Sequence, residues 1–284
     1  MTYSVIDGTA ADSLVLTDRG GAYGHGLFET MLLHHGALPL RQLHSERILR
    51  DAPTLAIKIA AEQLDSSIES LIGGLSPEQC QSGIVKIIVT AGSGGRGYAS
   101  PGLAEAAPRI IAQYFPLPND LQRQRQQGIS LTECHYRLPL NPVLAGIKHL
   151  NRLDQVMARS EWAEEYDDGM MFCADDNLIE TTRANLFIKL GSDWVTPCLG
   201  QAGVCGVMRE LLIGELFASA GLTKVQQVSI SREQLHSATE LFTCSSVRGI
   251  VPVISTPSTG SLAIGNDTRL LQSALKNNYQ GFPC

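Results

Sequence analysis

Runs that read as strands outnumber runs that read as helices along this chain, and the two kinds do not alternate one for one. A doubly wound parallel sheet needs helices between its strands, so this order points to an α+β architecture of two domains, with mixed sheets and flanking helices. In residues 1–115, two short strand candidates precede Gly20-Gly-Ala-Tyr-Gly-His-Gly26. Strand-like residues 27–34 and 38–40 follow, with a helix from Arg41 and another over 60–72. Residues 84–90 and 109–115 are rich in β-branched side chains and read as strands. Residues 116–120 hold two prolines and Asn-Asp and are the expected linker. In residues 121–284, strands are expected near 129–134, 169–174, 185–189, 193–196 and 240–244, and helices near 151–165, 207–220 and 232–237.

The 284 residues suffice for two medium domains, and 44% hydrophobic content is that of a globular chain. A net charge of −6 and the lack of a dense Lys/Arg run argue against nucleic-acid binding. The first residues carry no basic segment followed by an apolar one, and no apolar run nears the ~20 residues that span a bilayer. Seven scattered cysteines without Cys-x-x-Cys fit reduced thiols in the cytoplasm. His34 and His35 are adjacent and point to opposite faces of a strand, so no metal is assigned.

Chemistry concentrates in a few places. Lys148 stands in Ala145-Gly-Ile-Lys-His-Leu-Asn-Arg-Leu-Asp154, after an apolar, turn-flanked stretch and before an amphipathic helix. Apolar neighbours disfavour the ammonium form, and a neutral amine is the group that condenses with carbonyl compounds. A lone lysine is more often a solvated surface charge. Arg47 falls on the i, i+3, i+7 face with Leu40 and Leu43. It either meets an anion there or lays its stem along apolar surface with its head in water. Gly203-Val-Cys-Gly-Val-Met-Arg209 opens a helix, where free backbone N–H groups can take a phosphate; the plainer alternative is an ordinary loop-to-helix junction. Glu180 sits in a turn and short strand. It either caps local backbone or is partly buried, where it can keep a ring nitrogen protonated. In Gly92-Ser-Gly-Gly-Arg-Gly-Tyr98, Arg96 can fork onto a carboxylate, unless the segment is a mobile hairpin. Ser245 and Ser246 follow a strand, and their hydroxyls can meet phosphate.

Together these residues resemble the fold-type IV pyridoxal-phosphate (PLP) enzymes, the D-amino-acid-aminotransferase-like class that includes branched-chain aminotransferases and aminodeoxychorismate lyases. The resemblance covers nearly the whole chain. It rests on Asp18-Arg-Gly-Gly-Ala-Tyr-Gly-His-Gly-Leu-Phe-Glu-Thr30, His44-x-x-Arg47, Lys148, Glu180 with Asn185-Leu-Phe187, and Gly203–Arg209. Gly92–Tyr98 and Asn141-Pro-Val-Leu-Ala-Gly-Ile-Lys-His-Leu-Asn-Arg-Leu-Asp-Gln155 are similar to the lyases in particular. The resemblance implies that Lys148 is the catalytic lysine that carries PLP covalently. Arg47, Gly206, Val207, Met208, Ser245 and Ser246 would hold the phosphate, and Glu180 would face the pyridine nitrogen. Phe28, Thr30, Arg96 and Tyr98 would contact substrate. The implied reaction converts 4-amino-4-deoxychorismate to 4-aminobenzoate and pyruvate in folate synthesis, by a cytoplasmic homodimer. The alternatives are a D-amino-acid or branched-chain aminotransferase, and a non-catalytic binder of phosphate ligands. Two positions depart from the pattern: His25 where many relatives carry Asp, and Ser245 where many lyases carry Asn.

Overall fold

A computed structural model describes residues 3–100 and 107–282. The chain forms two compact units: Met1–Pro118 with Ile147–Asn151, and Asn119–Gly146 with Arg152–Cys284. The change between Pro118 and Asn119 falls inside the proline-containing stretch. The return of residues 147–151 to the first unit has no signal in the sequence.

The first unit is built on one antiparallel sheet of β1 (Tyr3–Ile6), β2 (Thr9–Ala10), β3 (Gly26–His34), β4 (Ser82–Thr90) and β5 (Arg109–Phe115), in the order β2-β1-β5-β4-β3. The two-residue strand period puts Leu27, Met31 and Leu33 on one face with Val85, Ile87, Val89 and Ala112. Ile48 of helix α2 (Arg41–Asp51) and Leu64, Ile68 and Leu71 of α3 (Ala61–Gly73) complete that core. A short helix α1 (Arg19–Tyr23) precedes β3, capped by Asp18 Oδ1, which accepts from Gly20 N at 2.8 Å. Another, α4 (Pro77–Gln81), precedes β4 and starts at a Ser76/Gln79 capping box. Residues 38–40 do not form a strand. The chain turns there, with only an isolated bridge from His34 to Ala37.

The second unit carries a mixed sheet of β6 (Ile129–Leu138), β7 (Asp168–Cys173), β8 (Leu178–Thr181), β9 (Asn185–Leu190), β10 (Asp193–Pro197), β11 (Gln226–Val228), β12 (Ala238–Ser245), β13 (Gly249–Thr256) and β14 (Gly260–Ser261). Pairs β6/β7, β6/β13 and β10/β11 are parallel and the rest antiparallel. The sequence gives no expectation of β13, because Pro252 lies inside it and proline disfavours central strands. Here β13 sits between β12 and β6, and its ladder to β6 begins only at Val253, beyond the proline. Helices α5 (Leu121–Gln127), α6 (Leu153–Arg159), α7 (Val207–Leu211), α8 (Phe217–Ser219), α9 (Arg232–Leu235) and α10 (Asn266–Asn278) flank this sheet. A π-helical turn, Leu212–Leu216, joins α7 to α8 and makes one helical run of them.

Helix α6 is shorter than the expected 151–165. It leaves Leu153, Val156 and Met157 on one exposed face and buries Ala158. No helix among the described residues is long and apolar enough to cross a membrane.

Candidate functional site

The first unit gathers Lys148, Phe28 and Thr30 at one edge of its sheet. Strand β3 is the edge strand, and its open side is taken by residues 147–150. Phe28 N donates to Lys148 O at 3.0 Å, Leu150 N donates to Gly26 O at 2.9 Å, and Leu27 bridges His149. Lys148 therefore lies on a short segment whose backbone is bonded to β3. Its Nζ stands 4.4 Å from the centre of the Phe28 ring. Phe28 and Thr30 share the face of β3 that points away from the helix-covered core. Lys86 of β4 lies directly opposite Thr30, with its Nζ 5.2 Å from the Phe28 ring. Burial pushes the Lys86 ammonium below its ordinary value. The sequence reading missed Lys86. The available signal was its place on an apolar alternating strand, opposite the Phe28/Thr30 face.

Arg47 is on the buried face of α2 with His44, Ile48 and Asp51, and Leu40, just before the helix, is buried as well. Its head does not reach water: the residue is 3% exposed. Its Nε donates to Glu29 Oε1 at 2.7 Å and its Nη2 to Glu29 Oε2 at 2.5 Å. His44 Nδ1 meets the same carboxylate at 2.6 Å. Burial by itself raises the Glu29 carboxyl, but Arg47 and His44 outweigh it and hold it at about 2. Desolvation, reinforced by the charges of Arg47 and Lys148, pushes His44 below its ordinary value despite Glu29. A neutral His44 donates through Nδ1, and its buried Nε2 has no hydrogen-bond partner among the described residues. The anion that meets Arg47 on this face is Glu29. The signal for it was a single carboxylate alternating with Leu27, Met31 and Leu33.

The second unit assembles the glycine segment. Glu180 is on β8 and buried, 5% exposed. Its Oε2 accepts from Val204 N at 2.9 Å and its Oε1 from Gln155 Nε2 at 3.3 Å. Asn185 Nδ2 donates to Val204 O at 2.9 Å. Gly146 N donates to Gly203 O at 2.9 Å, and Cys205 N donates to Gly146 O at 3.0 Å. The loop before α7 is thus held from three sides. Gly206 is its N-cap residue, with Val207 and Met208 buried in the first turn. A Cβ at Gly206 would stand 2.1 Å from Asn185 Oδ1, and Gly203 has φ +84°. These glycines are therefore required by close approach and backbone conformation. Cys244 of β12 pairs with Asn185, which brings the Ser245-Ser246 turn to the same end of the sheet as this loop. Ser245 Oγ accepts from Arg248 N at 3.2 Å and so closes its own turn.

Arg96 and Tyr98 lie on an exposed loop, and Tyr98 is 90% exposed. The Tyr98 ring packs against Tyr23, 5.6 Å between ring centres. No group of three or more His, Cys, Asp or Glu is placed to hold a metal ion among the described residues.

Residues 26–256 match the amino-transferase class IV family. The chain belongs to that family. It is 33% identical over 276 residues to an aminodeoxychorismate lyase of Vibrio harveyi, covering 95% of this chain and 98% of the relative. A crystal structure of 4-amino-4-deoxychorismate lyase from Pseudomonas aeruginosa superposes with a TM-score of 0.87 at 36% identity, covering 96% of this chain and 98% of the other. A D-alanine aminotransferase of Bacillus licheniformis is 24% identical over 267 residues, 93% of this chain and 90% of the relative. The two-domain α+β architecture is that of the fold-type IV class.

Proposed function

We propose that this protein is a PLP-dependent lyase that converts 4-amino-4-deoxychorismate to 4-aminobenzoate and pyruvate. The observation that carries the reading is the setting of Lys148. Its backbone is fixed to β3 and its amine rests over Phe28. It also follows by two residues Gly146, whose backbone is bonded to Gly203 and Cys205 of the glycine loop. The donor set fits PLP: an amine for its aldehyde, backbone amides at a helix start for its phosphate, and a buried carboxylate for its ring nitrogen. Lys148 would hold the cofactor covalently, and Glu180 would face the ring nitrogen. The phosphate would be received by Gly206, Val207 and Met208 with the Ser245 and Ser246 hydroxyls. Arg47 would approach it with its guanidinium already oriented by Glu29. When bound, the cofactor supplies an electron sink at the substrate carbon that carries the amine.

The chain's own residues would perform the remaining steps. Lys148 Nζ removes the proton from C4 of the substrate as general base. Loss of the enolpyruvyl oxygen from C3 makes the ring aromatic, and Lys148 returns a proton as pyruvate leaves. Phe28 and Thr30 line the substrate side, and Arg96 and Tyr98 meet its carboxylate. A cytoplasmic homodimer belongs to the same reading. It is supported by the exposed apolar face Leu153/Val156/Met157, since such a patch marks an interaction surface.

The test follows 4-aminobenzoate and pyruvate together, from 4-amino-4-deoxychorismate and without added keto acid. Equal release supports the lyase. A yellow protein that releases neither and consumes amino acids only with a keto acid is an aminotransferase. The Lys148→Ala variant is expected to lose turnover and to show no borohydride-fixed adduct by mass; robust turnover in it would remove Lys148 from its role. Reversible binding without a chromophore, even in the unaltered protein, would leave only a phosphate-ligand binder.

A further inference from the structure

Arg19 is the buried cation of the first unit that none of this chemistry uses. It is 5% exposed, on the one-turn helix α1. Among the described residues its hydrogen bonds go to one histidine and to four backbone carbonyls of a single loop. Nη1 faces Gly94 O at 3.2 Å, Gly97 O at 3.1 Å and Ala99 O at 3.3 Å, and Nη2 faces Tyr98 O at 3.3 Å. Nε donates to His25 Nδ1 at 3.2 Å. The other ring nitrogen of His25, Nε2, lies 2.7 Å from Leu55 O. A carbonyl can only accept, so Nε2 carries the proton and Nδ1 offers its lone pair to Arg19. His25 is thereby a bridge from the core-packed segment at Leu55 to the guanidinium, and it fixes the direction of the fork.

The glycines of the loop acquire a reason beyond freedom of movement. Gly92, Gly94, Gly95 and Gly97 have φ of +70°, +127°, +74° and +58°. Successive left-handed residues turn carbonyls inward, which residues with a Cβ rarely permit. Here four carbonyls converge on one cation. The start of the loop is tied down as well: Arg19 N donates to Gly92 O at 2.8 Å, and Asp18 bridges Ser93. At the far end, Arg19 and Tyr98 share Tyr23, the guanidinium 4.9 Å and the Tyr98 ring 5.6 Å from the Tyr23 ring centre.

We propose that Arg19, oriented by His25, is the positioning residue of loop 92–99, and that it sets the loop in advance in the form that presents Arg96 and Tyr98. The segment is then a built arch around a cation and not a mobile hairpin. The consequence for substrate rests on the assignment of Arg96 and Tyr98 to its carboxylate; the consequence for the loop does not.

The experiment compares the unaltered protein with Arg19→Met, Arg19→Lys and His25→Leu. Hydrogen exchange is measured over residues 92–100, with trypsin cleavage after Arg96 located by mass. Arg19→Met is expected to speed both by about tenfold or more, because several charge-assisted hydrogen bonds no longer oppose local opening. Arg19→Lys keeps the charge but not the fork and falls between the two. His25→Leu retains Arg19 and loosens the loop less, which keeps the idea testable if Arg19→Met fails to fold. Exchange in β4 should stay unchanged. An unaltered loop in the folded Arg19 and His25 variants would overturn the proposal. Steady-state kinetics then separate the two readings. A raised KM for 4-amino-4-deoxychorismate with kcat nearly kept supports the presentation of Arg96. A loosened loop with unchanged KM keeps Arg19 as the anchor and removes Arg96 and Tyr98 from substrate.

Discussion

At the residue scale, the Glu29–Arg47–His44 cluster concentrates the most charge in the least water. Breaking such a pair by removing one member leaves an uncompensated buried charge, which costs about 3–5 kcal/mol. Glu29→Gln is therefore expected to lower stability by that amount at pH 7, read by urea unfolding. The pH dependence has a definite sign. The folded carboxyl is held at about 2 against an ordinary 4.5, so its stabilisation is complete above pH 4.5 and is lost as pH falls through 2. The gap between the unaltered protein and Glu29→Gln should accordingly narrow from pH 4.5 downward; a constant gap would mean that Glu29 is not ionised in the fold. The same variant should weaken PLP binding if Arg47 meets the phosphate, because its fork would no longer be aimed.

At the element scale, the segment before α7 depends on an absence of side chain. A Cβ at Gly206 would fall 2.1 Å from Asn185 Oδ1, on a side chain already committed to Val204 O. Gly206→Ala is expected to cost about 1–3 kcal/mol through overpacking and to raise the PLP dissociation constant, measured by fluorescence titration. An unchanged constant would mean that the loop does not hold the phosphate. The pattern of this element was legible in sequence, since two glycines ahead of an apolar-periodic run mark a loop that opens a helix. Its supports were not legible. Glu180, Asn185 and Gly146 are held to it by bonds across 19 to 59 positions of chain, and no local periodicity reports such pairs.

At the scale of the whole molecule, the described cysteines divide by depth. Cys198 is exposed, while Cys134, Cys173 and Cys244 are buried. Burial pushes the Cys134 thiol up to about 12 and the Cys244 thiol further. Alkylation of the native protein should therefore mark Cys198 first among these four, and reach the others only on unfolding. Peptide mass mapping checks this, and early labelling of Cys134 or Cys244 would contradict the packing of the second unit. The exposed face of α6 makes a second prediction. If that face holds the proposed dimer together, the unaltered protein sediments as a dimer and Val156→Glu as a monomer, with the circular dichroism spectrum unchanged; equal sedimentation of the two would remove this face from the interface.

What the sequence by itself determined is what repeats over short distances. Runs rich in β-branched residues located β4 and β5 nearly to the residue, and the Lys148 segment and the glycine turns stood out by composition. The tertiary structure alone decided which distant groups meet. Lys148 follows Gly146 of the second unit in sequence, yet belongs to the first because backbone bonds to Phe28 and Gly26 hold residues 147–151 there. Pro252 lies in a central strand because its neighbour's ladder starts one residue later. Arg47 found Glu29, and Arg19 gathered carbonyls 75 to 80 positions away. For Arg47 and Arg19 a buried polar group must be satisfied, and its nearest partner in space is set by the packing of sheets and helices, not by its neighbours in the chain.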